Sequence, residues 1–363
     1  MIATGLATGK TADPALAAQA VTQAMTRLNI SHATSVLLFL SDAFAHDPRP
    51  ALLAASRQSQ CMQVTGCSAT GIFTEETWVL DAPAAAAMVF SDPQKLVPSH
   101  ASNDLLLTLA APNAIQKLGM SITSQCFGGI SGDATGYGSH KVWQNGKVCT
   151  AGHSEMRIEA CTGRMGVSRG IRALTPPAAI TGIHGYELSG LNGKPALHTL
   201  LRELPLEARE FDHIPLHRLM AAEIQGEPEN AIAEGRYRLI PIIATHSETA
   251  SVTLASQLPL GSRLFWALRQ PLAAESGMRS AINQVGSQLA HAPDFGIMVS
   301  SSGRGPGFYN GDDRDLRIMK QCHPNMPFIG FYGNGEITCI DNVHQPLDYS
   351  CVFGLFHYNI SPD

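Results

Sequence analysis

The stretch Ser35-Val-Leu-Leu-Phe-Leu40 sets the fold class of this chain. A short, unbroken apolar run of this kind is typical of a strand that is buried on both faces of a sheet. Asp47-Pro48 follows with the residue types that begin a helix, and residues 50–58 carry helix-forming side chains. A second strand is predicted at Gln63-Val-Thr65, just ahead of Gly66. This order of strand, helix and strand predicts a mixed α/β layer.

The same kinds of signal extend in both directions along the chain. Upstream, Asp13-Pro14 provides the start of a helix that we predict over residues 15–28. Asn145-Gly146, between β-type residues, indicates a hairpin within residues 141–149. Periodicity predicts further strands at residues 84–90, 237–244, 251–258, 265–270, 295–300 and 326–332, and helices at 275–289 and 313–322.

The hairpin-rich middle of the chain ends near Gly190, where Pro195 leads a new helix within residues 191–200. At the usual ~100–200 residues per domain, a chain of 363 residues suggests about two domains. We therefore expect an α/β (mixed α+β) protein with two mixed-sheet domains, residues 1–190 and 191–363, that share a cleft.

Composition excludes several classes of function. The chain has 25 basic and 30 acidic residues, so nothing predicts a nucleic-acid partner. No stretch approaches the ~18 apolar residues of a membrane helix, and no apolar segment of an export signal follows Lys10. The eight cysteines are scattered along the chain, so we expect reduced thiols in a cytoplasmic protein.

Several short motifs fail when their spacing is considered. Gly5-Leu-Ala-Thr-Gly-Lys-Thr11 has one residue too few between its glycines for a phosphate-binding loop. Cys149, His153 and Cys161 have a spacing that fits metal ligands only on one continuous strand. We predict no metal site and no catalytic residue.

Three glycine-rich segments follow predicted strands. They are residues 64–71, residues 127–133, and residues 298–305 together with 328–337. Glycine lets the backbone turn sharply after a strand and present N–H groups to a ligand. Arg304 and Glu336 form an opposite-charge pair that suits a zwitterion. The alternative is that the segments are tight turns and that the two charges form a structural salt bridge.

These segments resemble a known family. Ser302-Gly-Arg-Gly305 and Pro327-Phe-Ile-Gly-Phe-Tyr-Gly-Asn-Gly-Glu-Ile337 are similar to the C-terminal FIST (F-box and intracellular signal transduction) domain. Gly66-Cys-Ser-Ala-Thr-Gly71 and Gly128-Gly-Ile-Ser-Gly-Asp133 resemble turns of the N-terminal FIST domain, and Leu188-Ser-Gly-Leu-Asn-Gly-Lys-Pro-Ala-Leu197 resembles the segment that joins the two. The resemblance places these domains at residues 1–190 and 191–363.

Two departures from the family pattern stand out. Ser301 occupies a position where many relatives have cysteine, and His344 is followed by Gln345 rather than by asparagine. No F-box-like segment is visible in residues 1–34.

The resemblance implies a stand-alone bacterial sensory protein that is not an enzyme. Its expected ligand is an amino acid or a similar polar metabolite, and its expected partner is a histidine kinase or a cyclic-di-GMP enzyme on a separate chain. The candidate ligand-binding residues are Gly66, Cys67, Ser68, Gly129, Asp133, Ser302, Arg304, Gly333, Asn334 and Glu336.

Two other functions stay open at this point. The first is a haem-binding nitric oxide sensor with an axial histidine or cysteine, for which His140, His153 and His246 are candidates near predicted strand ends. The second is an enzyme that uses Cys67 or Ser68 as its nucleophile.

Overall fold

The computed structural model describes residues 1–98, 105–115, 125–132, 138–204, 214–227, 229–340 and 343–359. The α-helices of these residues are Ala15–Leu28 (α1), Arg49–Ser59 (α2), Ala196–Leu201 (α3), Pro271–Gln288 (α4) and Arg314–Cys322 (α5). The strands are Ile2–Thr8 (β1), Ser35–Ser41 (β2), Val64–Ala69 (β3), Gly71–Thr74 (β4), Trp78–Leu80 (β5), Ala84–Phe90 (β6), Lys95–Pro98 (β7), Leu106–Ala110 (β8), Cys126–Ile130 (β9), Val142–Gln144 (β10), Lys147–Val148 (β11), His153–Glu159 (β12), Cys161–Ser168 (β13), Ile171–Ala173 (β14), Ala178–His184 (β15), Glu187–Leu191 (β16), Lys194–Pro195 (β17), Leu219–Ile224 (β18), Tyr237–His246 (β19), Ser251–Leu254 (β20), Arg263–Arg269 (β21), Phe295–Ser301 (β22), Phe328–Gly333 (β23), Glu336–Ile340 (β24), Val343–Leu347 (β25) and Cys351–Tyr358 (β26).

The chain forms two compact units, one inserted into the other. The main unit comprises residues 1–168 and 277–363, and the barrel unit comprises residues 169–276. The predicted boundary between residues 190 and 191 separates two family domains and not these two compact units. It stays a prediction.

Within the described residues, three sheets build the main unit. Sheet A has the order β1-β6-β2-β3-β10-β11, sheet B the order β13-β26-β22-β23-β4-β5, and sheet C the order β25-β24-β9-β8-β12-β7. Each sheet contains a parallel pair, which is β2 with β3, β22 with β23, and β8 with β9. The glycine-rich segments overlap β3, β9, β22 and β23 and run past the carboxyl ends of these strands.

Side-chain alternation along the central strands explains how the sheets pack. In β2, Leu37 and Phe39 join the core shared with sheets B and C, whereas Val36, Leu38 and Leu40 join a second core with α1 and α2. The rings of Phe39 and Phe331 meet at 4.8 Å between centroids, which places sheet A against sheet B. A third core joins α4 and α5 to the other face of sheet B. The unbroken apolar runs of the sequence therefore fill both faces of buried strands.

The barrel unit is a closed antiparallel barrel. Strand pairing runs through β15, β16, β20, β19, β18 and β21 and returns from β21 to β15, while β14 and β17 attach at the side. Its interior is apolar and includes Leu188, Val252 and Trp266.

The predicted mixed α/β class is confirmed. Helix α1 and strand β6 have the predicted bounds. The predicted hairpin turns at Asn145-Gly146, where both residues have positive φ. The expectation of eight reduced thiols is wrong for two of them, because a disulfide joins Cys126 to Cys339. These cysteines are 213 residues apart in sequence and meet only because β9 and β24 are neighbours in sheet C.

Candidate functional site

The three glycine-rich segments come together in the main unit. Ser68 at the end of β3 lies with its Oγ 3.0 Å from the Oγ of Ser131, which follows β9. The backbone N–H of Asn334, which follows β23, donates to the carbonyl oxygen of Ile130 at 3.0 Å. Gly132 passes so close to Asn334 that a Cβ placed on it would lie 2.8 Å from Asn334 Oδ1. Strand ends that are far apart in sequence therefore form one polar region.

Part of this region differs from the prediction. Gly66, Cys67 and Ser68 lie inside β3 and not in an open turn, and the N–H of Ser68 donates to the carbonyl oxygen of Lys141. The expectation of a turn at these positions is wrong, because the three residues continue the strand. Cys67 is fully buried, and burial raises the pKa of its thiol well above the ordinary value.

Arg304 has a carboxylate partner that the sequence did not suggest. Its Nε lies 2.8 Å from Asp315 Oδ2, and its Nη2 lies 3.0 Å from Asp315 Oδ1. The guanidinium also donates to the backbone oxygen and the hydroxyl of Ser168, at 2.5 and 2.7 Å. Burial alone would lower the pKa of Arg304, but the charge of Asp315 holds that pKa above the ordinary value. Arg304 is 1% exposed, so its charge is compensated within the protein core.

More polar groups surround this ion pair. Asp313 begins α5 by accepting a hydrogen bond from the N–H of Leu316, and its other oxygen accepts from the hydroxyl of Tyr332 at 2.6 Å. Burial and the charge of Asp315 raise the pKa of Asp313 to about 6. All four side chains of this group are buried, namely those of Arg304, Asp313, Asp315 and Tyr332.

Glu336 is buried as well. Its Oε2 accepts a hydrogen bond from the N–H of Ser350 at 3.0 Å, and the side chain has no exposed surface. Among the predicted ligand-binding residues that the structure describes, the exposed ones are Ser302 and Asn334. Gly129 and Gly333 are buried in strands, and Asp133 lies outside the described residues. The assignment of these residues to ligand binding stays a prediction.

A second candidate site, which was not predicted from the sequence, lies within the barrel unit. It is an open cavity of about 300 Å³ between β15, β16 and α3. Three basic side chains and one acidic side chain line it, namely Lys194, His198, Arg202 and Glu203. The rest of its wall includes Thr175, Pro176, Pro177, Ala178, Leu191, Asn192 and Thr199.

Hydrogen bonds to the barrel fix the wall of this cavity. The backbone N–H of Trp266 donates to Thr175 Oγ1 at 3.0 Å, and its indole N–H donates to Thr199 Oγ1 at 2.9 Å. Asn192 Oδ1 accepts from the N–H of Ala179 at 2.8 Å. Thr175 and Thr199 are therefore held in place by a buried tryptophan and Asn192 by the backbone of β15, so part of the polar wall is preformed.

One sequence signal could have indicated this cavity. His198 and Arg202 are spaced four residues apart, so one helical turn places them on one side of the helix, close to Lys194 in the preceding strand β17. The sequence predicts the helix within residues 191–200, and α3 forms at Ala196–Leu201. The position of Glu203 on the wall and the cavity itself depend on how the barrel folds, so no local sequence pattern indicates them.

Comparison with known proteins gives two matches to family models. The FIST N domain matches residues 34–194, and the FIST C domain matches residues 196–339. The uncharacterized protein Rv0628c of Mycobacterium tuberculosis is 23% identical over 367 residues, which cover 93% of this chain and 96% of that protein. The uncharacterized protein Mb0898c of Mycobacterium bovis is 23% identical over 231 residues, covering 63% of this chain and 59% of that protein. Among the described residues, none of the helices combines the length and the apolar composition that a membrane span requires.

Proposed function

Because this chain belongs to the FIST family, whose domains are sensory domains of signal transduction, we propose that it senses a small polar ligand in the barrel-unit cavity. The observation that carries the proposal is the open cavity with three basic side chains and one carboxylate on its wall. A separately encoded partner would read the ligand-bound state, and the family resemblance suggests a histidine kinase or a cyclic-di-GMP enzyme.

The charges of the cavity indicate the chemistry of the ligand. Lys194 is an exposed cation that suits a carboxylate. Arg202 Nε lies 3.4 Å from Glu203 Oε1 in a solvent-accessible ion pair, and such a pair is weak enough for a zwitterionic ligand to pair with both residues. The volume of about 300 Å³ is at the small end of ligand pockets. A free amino acid or a similar zwitterionic metabolite has both the opposite charges and the small size that this cavity suits.

The cavity is a better candidate than the glycine-rich region of the main unit. There, the charge of Arg304 is already compensated by Asp315, and both side chains are buried. A ligand carboxylate would have to displace Asp315 and leave it as a buried, unpaired charge, which is strongly unfavourable. The burial of Cys67 likewise supports a binding function over a thiol nucleophile.

Sensing requires that the ligand bind one state of the protein better than another. The wall of the cavity includes Lys194 in β17 and His198 in α3, so a ligand held between them favours one arrangement of this helix. The signalling partner is then controlled by the difference in ligand affinity between the two states.

A thermal-shift screen followed by calorimetry tests the proposal. We expect one or more free amino acids to raise the Tm, and an N-acetylated form of the same compound to bind more weakly because it cannot pair with Glu203. Lys194→Ala combined with Arg202→Ala should abolish the shift. Arg49→Ala, which removes an exposed cation of the main unit, should preserve it.

Two results would overturn this assignment. One is an amino-acid response that survives in the Lys194→Ala, Arg202→Ala variant. The other is a Soret band on titration with haem, lost with one histidine substitution, in a protein that responds to no amino acid.

A further inference from the structure

Three metal-binding side chains meet in sheet C. Cys339 in β24 lies directly opposite His344 in β25, and a disulfide joins it on the other side to Cys126 in β9. The two sulfur atoms and one ring nitrogen of His344 all lie within 4.8 Å of one another. The three side chains therefore point from one row of adjacent strands toward a common point.

A carboxylate group, that of Glu155, contacts the imidazole of His344. Glu155 Oε1 lies 2.9 Å from His344 Nε2, although Glu155 belongs to β12 on the far side of the sheet order. The histidine is 3% exposed and Glu155 is 17% exposed. A metal-bound imidazole usually gives its second N–H to a carboxylate, which fixes the ring and makes it a better ligand.

We propose that reduction of the Cys126–Cys339 disulfide creates a Zn²⁺ site whose ligands are the two thiolates and His344. Glu155 is the positioning residue that orients the imidazole. The fourth position is left for water, which reaches the site on the side of the partly exposed Cys339.

The electron balance of this change is simple. A dithiol reductant gives two electrons and two protons to the disulfide, which becomes two cysteine thiols, while the reductant becomes a disulfide. Zn²⁺ then displaces both thiol protons as it binds the sulfurs. Two sulfurs that are bonded to each other cannot both bind one tetrahedral zinc ion, because two sulfur ligands of the same zinc are about 3.8 Å apart. The disulfide and the zinc complex are therefore mutually exclusive states.

The donor set favours zinc among divalent ions. Two thiolates and one imidazole are soft and borderline ligands, which exclude Mg²⁺ and Ca²⁺ and suit a tetrahedral ion. Zn–S distances near 2.3 Å and Zn–N distances near 2.0 Å require ligand atoms that are less than ~4.6 Å apart. The three groups approach this separation already, so small rotations about the cysteine side chains complete the site.

Zinc titration of oxidised and reduced full-length protein tests the proposal. A water-soluble phosphine reduces the disulfide without binding zinc through sulfur, since the phosphine takes up one oxygen from water and becomes a phosphine oxide. In competition with a chromophoric chelator, we expect the reduced protein to bind one Zn²⁺ per chain at least 100-fold more tightly than the oxidised protein. Equal affinity of the two forms would overturn the proposal.

Variants identify the ligands. Cys339→Ser and His344→Gln should each weaken Zn²⁺ binding at least 100-fold, and Glu155→Gln should weaken it about 10- to 100-fold. Cys322→Ser is the matched control, because it removes a half-buried cysteine of α5 and should leave binding unchanged. Wild-type affinity in Cys339→Ser would contradict the assignment.

A second measurement needs no variant and so does not depend on the folding of one. In the reduced wild-type protein, Zn²⁺ should slow alkylation of the partly exposed Cys339 at least tenfold, measured by mass spectrometry, and should not slow alkylation of Cys322. Unchanged alkylation of Cys339 on addition of Zn²⁺ would also overturn the proposal.

Discussion

The guanidinium of Arg304 and the carboxylate of Asp315 form a two-point ion pair in the core of the main unit, with N···O distances of 2.8 and 3.0 Å. Arg304→Ala leaves Asp315 as a buried, uncompensated charge, so we expect the free energy of unfolding to fall by about 3–5 kcal/mol. Urea denaturation followed by circular dichroism measures this change. Arg49→Ala, which breaks an exposed ion pair with Asp47, is the control and should leave the urea midpoint unchanged. A midpoint for Arg304→Ala that equals the wild-type value would show that the pair is not structural.

The shifted pKa of Asp313 makes stability depend on pH in a specific direction. In the unfolded chain this carboxyl has its ordinary pKa near 3.9. In the folded protein, burial and the charge of Asp315 raise the pKa of Asp313 to about 6. The folded state binds the proton better between these values, so the stabilising contribution is full below about pH 4 and is lost as the pH rises through 6.

Asp313→Asn removes this titration and keeps an oxygen that caps α5. Relative to wild type, the variant should therefore gain stability between pH 4 and pH 7, by at most about 3 kcal/mol. Urea unfolding of both proteins at pH 4.5 and pH 7.0 gives the difference. If the two proteins show the same pH dependence, Asp313 does not titrate in this range.

A pair of glycine substitutions tests the packing around sheet B. In β23, a Cβ on Gly330 would lie 1.9 Å from the carbonyl oxygen of Met298 and 2.4 Å from the ring of Phe73. Gly330→Ala should therefore destabilise the protein by about 3 kcal/mol or more, because backbone atoms cannot move aside cheaply. A Cβ on Gly286 in α4 would have no atom within 4 Å, and Gly286→Ala should stabilise the helix by about 0.5–1 kcal/mol. Thermal unfolding of both variants should show Tm changes of opposite sign.

The reactivity of Cys67 distinguishes a binding protein from a cysteine enzyme. Its thiol has no exposed surface and its pKa is raised by burial, so we expect iodoacetamide at neutral pH to leave Cys67 unmodified in the folded protein. Mass spectrometry should find it modified only after unfolding in urea, whereas the half-buried Cys322 should react without urea. Rapid, stoichiometric modification of Cys67 in the folded state would favour the nucleophile hypothesis.

Local signals predicted many of the elements well. Helix α1 and strand β6 have the predicted bounds because the caps and apolar runs that define them are continuous in sequence. Helix α5 begins after Asp313 as predicted, since the aspartate accepts a hydrogen bond from Leu316. By contrast, β1 was not predicted, because its strand character depends on pairing with β6, more than seventy residues away.

The candidate site was harder to predict because its contacts are not local. The glycine-rich segments do converge, as the contacts of Ser68 and Asn334 indicate. The partner of Arg304 was missed because Asp315 looks like an ordinary residue of a helix's first turn until the fold buries it. Cys126 and Cys339 have no informative spacing, since sheet order alone makes them neighbours.

The barrel unit enters and leaves the main unit at one place. Within the main unit, Ser168 and Gly277 flank the insertion, and a Cβ on Gly277 would lie 3.2 Å from the hydroxyl of Ser168. A bridge of two or three residues, at up to ~3.8 Å per residue, is long enough to reseal the chain there. The barrel is in this sense a removable cassette, because residues 169–276 can be exchanged while the three-sheet scaffold keeps its own connections.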